Sequence, residues 1–454
     1  MKIIIEGAGE VGSHLAKMLS SEGENVTVID SSAERLSALA STADLATVHG
    51  QASSIGVLTR AGVRRADLFI AVNPSPSHRQ DTNIVSALLA KKLGCKKVCA
   101  RIDDEEYLSY ENRYIFTEMG IDLLFYPEKI AAVEIVELLK RTASTESMDF
   151  ARGKLQMLVF RLEEESPLLD MDLAGFSAAV SGDDVKFRIV CISRGNETIM
   201  AKPQTRFRYH DLIFIITRRD GAGPIMDFLG KNDIEVSRVM IFGGGEIGEM
   251  VARSISRQAE TVKIIEADRD RCIELNENTD DNVIVVNADG RRSDLLEEEE
   301  IRSYDAFVAV TGNDEANVLA CVMAKKFGIQ RTVAEVENME YIRIAEEMGV
   351  DAVINKKLIT AGKIFKMTLS SKVRFVHYMS GTDAEVLEYI VAPGSSITGT
   401  PLKDCDFPSN AIIGGIIRGS EAFIAVGDTV IEDYDRVVVF ALPDAVKDVD
   451  RFFR

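Results

Sequence analysis

The chain has 454 residues, 46% of them hydrophobic, and a net charge of −19. That length holds roughly three or four domains, and that charge argues against nucleic acid or an anionic lipid surface as the main partner. No apolar run approaches the roughly 20 residues of a membrane-spanning helix, and Met1-Lys2-Ile3 opens into a strand pattern with no basic leader, so a cytoplasmic protein is expected.

Ile3-Ile4-Ile5 reads as a buried strand, followed by Gly7-Ala8-Gly9-Glu10-Val11-Gly12, a phosphate-binding turn that opens a helix. Gly7 lets the chain leave its strand sharply, Gly9 leaves room for a pyrophosphate at the backbone, and Gly12 lets the helix pack close on the sheet. The helix N-terminus then offers unpaired N–H groups to phosphates. The strand Val26 to Ile29 ends at Asp30, 23 residues after Gly7, where an acid would accept hydrogen bonds from ribose hydroxyls. A carboxylate there repels a 2′-phosphate, favouring NAD(H) or an adenine nucleotide over NADP(H). Glycines serving only strand–helix packing are the alternative. Further strands are expected at 45–49, 68–72, 97–102 and 122–126, with a helix from Thr82 to Leu93 between them. A helix from Glu128 to Thr142 is apolar on much of its perimeter (Ile130, Val133, Val136, Leu139) and needs two surfaces to bury itself, within the chain or between subunits. Residues 150–234 change to short alternating strands with turn residues.

The pattern then repeats. Gly243-Gly244-Gly245-Glu246-Ile247-Gly248 follows the strand Val239 to Phe242, 236 residues after the first turn, and Glu266 stands 23 residues after Gly243. Strands are expected at 262–266, 283–287, 306–310, 331–336 and 351–355, a helix from Glu315 to Phe327, and an apolar linker helix from Lys357 to Leu369. Asn83 recurs as Asn317, and Ala90-Lys91-Lys92-Leu93-Gly94 as Ala324-Lys325-Lys326-Phe327-Gly328. Residues 373–454 repeat the short-strand region weakly, as in Asp211-Leu212-Ile213-Phe214 and Asp435-Arg436-Val437-Val438. The fold class is therefore α/β: two Rossmann-type doubly wound parallel sheets, each followed by a small α+β C-lobe, in tandem duplication. The domains are expected at 1–127, 150–234, 237–356 and 373–454, with linker helices running to about 145 and 370.

Other residues carry less. The six cysteines form no Cys-x-x-Cys pair and read as reduced, buried thiols, and the five histidines do not cluster into a metal site. His14 is expected to face outward with a structural role. Glu297 to Glu300 reads as a solvated helix end, with a cation site the lesser option. Pro74 to His78 is a stiff polar loop, a lid or a connection.

The arrangement resembles the regulator-of-potassium-conductance family in the tandem form of the regulatory subunits of Trk-type potassium uptake systems. The resemblance rests on the first glycine turn near Met1, Asp30, Arg101 on the fifth strand and the duplicated C-lobe. It implies that the N-lobes bind NAD(H) or adenine nucleotides such as ATP or ADP. It implies a ring, commonly a homo-tetramer, attached to the inner face of the membrane beneath a membrane-embedded potassium-transporting pore subunit that the nucleotide gates. Carried over by residue, Gly7 to Val11 and Asp30 form the pyrophosphate turn and ribose acid, Asn73 and Pro74 the loop over the nucleotide, and Arg101 faces phosphates or adenine. In the second half Gly243 to Ile247, Glu266, Asp289 and Thr311 match. The departure is Glu335, which stands where Arg101 stands. Arg101 could instead be a strand-end residue paired with Asp103 or Glu105.

A regulator needs binding without chemistry, and no His, Lys, Tyr or Ser recurs in both C-lobes in a position suited to hydride transfer. The competing readings are an NAD-dependent dehydrogenase with duplicated Rossmann domains and a sensor acting on another transporter. The two sites are not expected to be equivalent. Arg101 lies in a half of net charge −6 and Glu335 in a half of −13, so phosphate-rich ligands should favour the first.

Overall fold

A computed structural model gives the fold. It describes residues 1–21, 23–73, 80–140, 146–151, 153–169, 171–180, 186–195, 197–230, 235–289, 293–365, 367, 373–378, 382 and 384–453. The first N-lobe runs β1 (Lys2–Glu6), α1 (Glu10–Ser21), β2 (Asn25–Asp30), α2 (Ala33–Ala40), β3 (Ala46–His49), α3 (Ile55–Ala61), β4 (Leu68–Ala71), α4 (Gln80–Lys92), β5 (Lys97–Arg101), α5 (Tyr110–Met119) and β6 (Leu123–Phe125), then α6 (Pro127–Lys140). The first C-lobe holds β7 (Glu146–Phe150), β8 (Leu155–Arg161), α7 (Leu173–Val180), β9 (Phe187–Arg194), β10 (Glu197–Met200), β11 (Leu212–Arg218) and α8 (Ala222–Leu229). The second N-lobe runs β12 (Arg238–Phe242), α9 (Glu246–Ile255), β13 (Thr261–Glu266), α10 (Arg269–Asn278), β14 (Val283–Asn287), α11 (Ser293–Glu298), β15 (Ala306–Ala309), α12 (Asp314–Lys326), β16 (Arg331–Glu335), α13 (Met339–Glu347) and β17 (Ala352–Ile354), then α14 (Lys356–Phe365). The second C-lobe holds β18 (Val373–Tyr378), β19 (Glu385–Ile390), β20 (Ala411–Arg418), β21 (Glu421–Ile424), β22 (Arg436–Ala441) and α15 (Val446–Phe452).

These elements fall into two compact units, Met1–Ile130 with Lys356–Ser370, and Ala131–Asn355 with Ser371–Arg454. The first unit is built on a six-stranded sheet of order β3-β2-β1-β4-β5-β6, and its strand pairs are parallel. Strands β1, β4 and most of β5 are buried along their length because helices cover both faces, which is why they read as unbroken Ile, Val, Leu and Phe runs. The chain winds one way from β1 and the other way from β4, so a crevice opens at the carboxyl ends of these two neighbours.

Helix α14 belongs to this first unit, although it follows the second N-lobe in sequence. It packs on α1 and buries Thr360, Ala361 and Ile364 completely. Lys357 Nζ lies 3.1 Å from Glu10 Oε2, and Lys97 Nζ donates to the Met367 carbonyl at 3.0 Å. His14 sits in this packing rather than facing outward: its Nε2 is buried without a partner, and burial, then the charges of Lys357 and Lys17, lower its pKa. His14 borders the buried stripe of Val11, Leu15 and Ala16 on α1, and α14 packs on this helix with Lys357 close enough to act on the imidazole.

The second unit repeats the parallel sheet as β14-β13-β12-β15-β16-β17 and adds two antiparallel sheets, β10-β9-β11-β8-β7 and β18-β19-β22-β20-β21. Period-two alternation divides the residues of β8 and β11 between two cores. Met157, Val159, Leu212, Phe214 and Ile216 face one, and Leu158, Phe160, Ile213 and Ile215 face the other, under α7 and α8. The first of these cores is shared: Val386, Ile417, Val438 and Phe440 of the second C-lobe complete it. Gly414 and Gly415 on β20 permit the approach, since a Cβ there would lie 2.9 Å from Ile216 Cγ2 and 2.7 Å from Leu155 Cδ1. Each C-lobe also carries the same bidentate ion pair across 17 residues, Arg194–Asp211 at 2.8 and 2.7 Å and Arg418–Asp435 at 2.9 and 2.8 Å. In both pairs the aspartate is fully buried and also accepts a backbone N–H, from Arg208 and from Glu432.

Candidate functional site

The first turn leaves β1 at Gly7, whose φ of +101° only glycine adopts without strain. A Cβ on Gly12 would stand 1.9 Å from the Gly7 carbonyl oxygen, so α1 starts flush against the turn. The Ala8 N–H donates to Asp30 Oδ2 at 2.6 Å and the Ser32 N–H to Oδ1 at 2.7 Å. The acid at the end of β2 therefore shapes the turn, and it is 5% exposed. Gly9 is half-buried, Glu10 exposed, and Val11 and Gly12 buried in α1.

A polar clamp closes the crevice on the β4 and β5 side. Asn83 on α4, fully buried, accepts from the Asn73 N–H at 3.1 Å and donates through Nδ2 to the carbonyls of Asn73 (3.3 Å) and Arg101 (3.1 Å). Asn73 lies against the turn, for a Cβ on Gly7 would approach its nitrogen at 3.0 Å. Its Nδ2 donates to Glu6 Oε1 at 2.9 Å, and Ser86 Oγ donates to the same oxygen at 3.0 Å. Glu6 is 1% exposed; burial pushes its carboxyl up to about 8, against the opposing hydrogen bonds of Ser86 and Asn73 and with help from the Asp30 charge. Pro74 lies outside the described residues, as does the rest of the loop to His78.

Arg101 does not pair with Asp103 or Glu105. Its guanidinium bonds Glu128 Oε1 at 2.9 Å, with Lys356 Nζ at 4.0 Å from the same oxygen, while its own Nε is buried without a partner. Glu128 is three residues beyond Phe125, the register partner of Arg101 across β5 and β6, so the helix start brings a carboxylate back over the strand end.

The second turn copies this skeleton. Gly243 has φ +106°, and a Cβ on Gly248 would stand 2.0 Å from the Gly243 carbonyl. Glu266 accepts from the Gly244 N–H at 2.7 Å and from the Asp268 N–H at 2.8 Å, the same two places that Asp30 binds. Glu266 is one methylene longer than Asp30, and a Cβ on residue 244 would come within 3.2 Å of its Cβ and Oε2 and 2.5 Å of Leu275 Cδ1. That is the reason for Gly244 where the first turn has Ala8. A Cβ on Gly245 would meet nothing within 4 Å, so the space in front of the turn is open. Glu246 is exposed, Ile247 buried, and Asp289 half-buried beyond β14.

Asn317 reproduces the clamp, accepting from the Thr311 N–H at 3.0 Å and hydroxyl at 2.6 Å, and donating to the carbonyls of Thr311 (3.0 Å) and Glu335 (2.9 Å). The turn carbonyl of Gly244 accepts from Arg271 Nε at 2.8 Å, and Arg271 also pairs with Glu249 and Glu274. Arg35, five residues after Asp30 as Arg271 is after Glu266, is exposed in the first lobe. By the register of β16 and β17, where Glu335 faces Ile354, Lys357 holds the place of Glu128, so both members of the Arg101–Glu128 pair change sign in the second half. Glu299, inside the acidic run at 297–300, is bound by Lys263 Nζ at 2.9 Å. Asn83, Asn317 and Glu6 were not among the expected site residues, although Asn73 and Thr311, which the two asparagines hold, were; the recurrence of Asn83 as Asn317 was the available signal for the clamp.

The profile of the TrkA-N domain matches residues 3–127 and 239–356, and that of the TrkA-C domain residues 386–454. The Trk system potassium uptake protein TrkA homolog of Archaeoglobus fulgidus is 32% identical over 456 residues, covering 100% of each chain. Among solved structures, the GsuK RCK domain superposes with a TM-score of 0.62 at 15% identity, over 100% of this chain and 94% of that one. The GsuK channel bound to NAD superposes at 0.61, also at 15% identity, over 100% of this chain and 78% of that one. These structures share the fold, and the relative shares the sequence from end to end: the chain belongs to the TrkA family, with its TrkA-N domain in tandem.

Proposed function

We propose that the chain is a regulatory subunit of a potassium uptake system, in which nucleotide binding at the N-lobes biases a ring that gates a membrane-embedded pore. The observation that carries this is the doubled turn. In each half the residue after the first glycine, and a second backbone amide beyond the acid, are held by one carboxylate, Asp30 or Glu266. The turn is thereby set before any ligand arrives, with open space before Gly245. The residues that would hold NAD(H), ATP or ADP are Gly7 to Gly12, Asp30, Asn73 and Arg101 in the first half, and Gly243 to Gly248, Glu266, Asp289 and Thr311 in the second. Pro74 completes the first set by resemblance. The TrkA relative is a Trk system potassium uptake protein, and one structure sharing the fold is of a channel bound to NAD. Among the described residues no helix is long and apolar enough to cross a membrane, so gating is assigned to a separate pore subunit. The subunit acts at the cytoplasmic face as a homo-oligomer, with a tetramer the simplest closed ring.

The test is titration of the full chain with NADH and ADP by calorimetry, beside Asp30→Ala. The variant should lose about 1–3 kcal/mol of binding, the size of one hydrogen bond to a buried charged group. Unchanged affinity removes Asp30 from the site, and turnover of NADH with a substrate would favour the dehydrogenase instead. Purification from the host membrane should bring a potassium pore with the chain; a monomer of 49.9 kDa in light scattering would contradict the ring.

A further inference from the structure

Glu6 is the last residue of β1 and directly precedes Gly7. Phe242 holds the same place in the second N-lobe, so the fold does not require a carboxyl there. At 1% exposure, its Oε1 accepts from Asn73 Nδ2 and Ser86 Oγ, while Oε2 is buried with no hydrogen-bond partner. An ionised carboxylate with one dry, bare oxygen is costly, whereas a neutral carboxyl carries its own hydrogen on that oxygen. Among the described residues no cation acts on it. The β4 end contributes Asn73 and helix α4 contributes Ser86, both neutral donors. Among the described residues of β2, β4, α1 and α4, the charge that acts on Glu6 is Asp30, of the same sign.

We propose that Glu6 is a proton-binding site built into the first nucleotide turn, and that an anionic nucleotide binding there is coupled to proton uptake by this carboxyl. The inference rests on the reading that the first N-lobe binds a nucleotide. A phosphate at the Gly7 to Gly12 turn and an ionised Glu6 are like charges one residue apart, so each disfavours the other. Linkage makes this reciprocal: the factor by which the nucleotide raises proton affinity is the factor by which the proton raises nucleotide affinity. Asn73 connects the two, with its side chain on Glu6 and its backbone held by Asn83 against Gly7. Burial holds the proton to about pH 8, which places the coupling at the upper edge of the physiological range. As pH rises through that value Glu6 ionises, and affinity at the first site falls. Phe242 makes the second site indifferent to the same change.

The experiment is calorimetric titration of the full-length chain with ADP from about pH 7 to about pH 9, in two buffers of different ionisation heat, which counts protons taken up. The wild type should take up part of a proton near the midpoint and lose about three- to tenfold in affinity across the range. Glu6→Gln, which keeps an acceptor for Asn73 and Ser86, should show neither. Difference infrared spectroscopy gives a readout independent of nucleotide: the buried carboxylic C=O band should be present in the wild type at neutral pH, titrate near pH 8 and vanish in Glu6→Gln. The same pH slope in Glu6→Gln as in the wild type, or no such band, overturns the proposal. If neither ADP nor NADH binds at any pH, the nucleotide reading fails and the coupling with it, while the infrared band alone decides whether Glu6 holds the proton.

Discussion

The two N-lobes share a backbone and differ in charge. Each turn starts with a glycine at φ near +100°, each abuts its helix at a second glycine, each is tied by one acid, and each is clamped by one asparagine. Around that frame the equivalent positions differ: Glu6 corresponds to Phe242, Ala8 to Gly244, Arg101 to Glu335 and Glu128 to Lys357. The comparison separates what builds the glycine turn from the side chains that, on the proposed reading, choose its ligand. The first is backbone geometry, which tolerates almost no change; the second is a shell of side chains that has drifted as far as charge reversal.

The frame itself should break most severely and equally. Gly12→Ala and Gly248→Ala put a Cβ about 2 Å from a carbonyl oxygen in both lobes. Each should cost about 3 kcal/mol or more in thermal unfolding; tolerance at one site alone would mean that the two frames are not the same.

The Glu6 difference should appear as a pH dependence of stability confined to the first lobe. Below the ordinary value of 4.5 the carboxyl is protonated folded and unfolded, so it contributes no slope. Between there and about 8 the unfolded chain has released the proton and the folded chain holds it, so stability falls as pH rises and levels off above that. Glu6→Gln should therefore gain about 2–4 kcal/mol over the wild type at pH above 8 and little in acid, as read from melting curves across pH. A gain of the same size at every pH would assign the effect to packing.

A smaller test converts one turn into the other. Gly244→Ala should cost about 1–3 kcal/mol through contact with Leu275 and Glu266, and adding Glu266→Asp should restore part of it, a non-additivity visible in a double-mutant cycle. The smallest effect is on ligand choice. Exchanging Arg101→Glu with Glu335→Arg should move ATP preference from the first site to the second by about 1 kcal/mol; if binding is unchanged, these residues do not set the asymmetry.

Much of this was legible in the sequence because the informative elements are local. Buried parallel strands must be apolar on both faces, and a turn of fixed φ must use glycine, so Ile3 to Ile5, Gly7, Gly12 and their copies declare themselves. What stayed hidden depends on contacts distant in sequence. Arg101 has acidic neighbours at Asp103 and Glu105, yet the start of α6 presents Glu128 more closely. The outward expectation for His14 failed because α14 arrives from more than 300 residues away to cover it. Glu6 looked like an ordinary charged residue at a strand end, and only its burial distinguishes it.

The C-lobe core shared by Phe214 and Phe440 has a consequence for synthesis. When the first C-lobe leaves the ribosome, β8 and β11 present an apolar face, from Leu155 to Ile216, whose cover does not yet exist. The residues that complete it, from Ala384 to Phe440, emerge only after the whole second N-lobe has been translated. The nascent chain must therefore carry an exposed sheet face through a long interval, the condition that most favours mispairing and aggregation. Two first C-lobes on neighbouring ribosomes present identical faces, so the kinetic hazard of the tandem design is premature pairing between nascent chains. A holdase on this segment during translation should raise the yield of native protein.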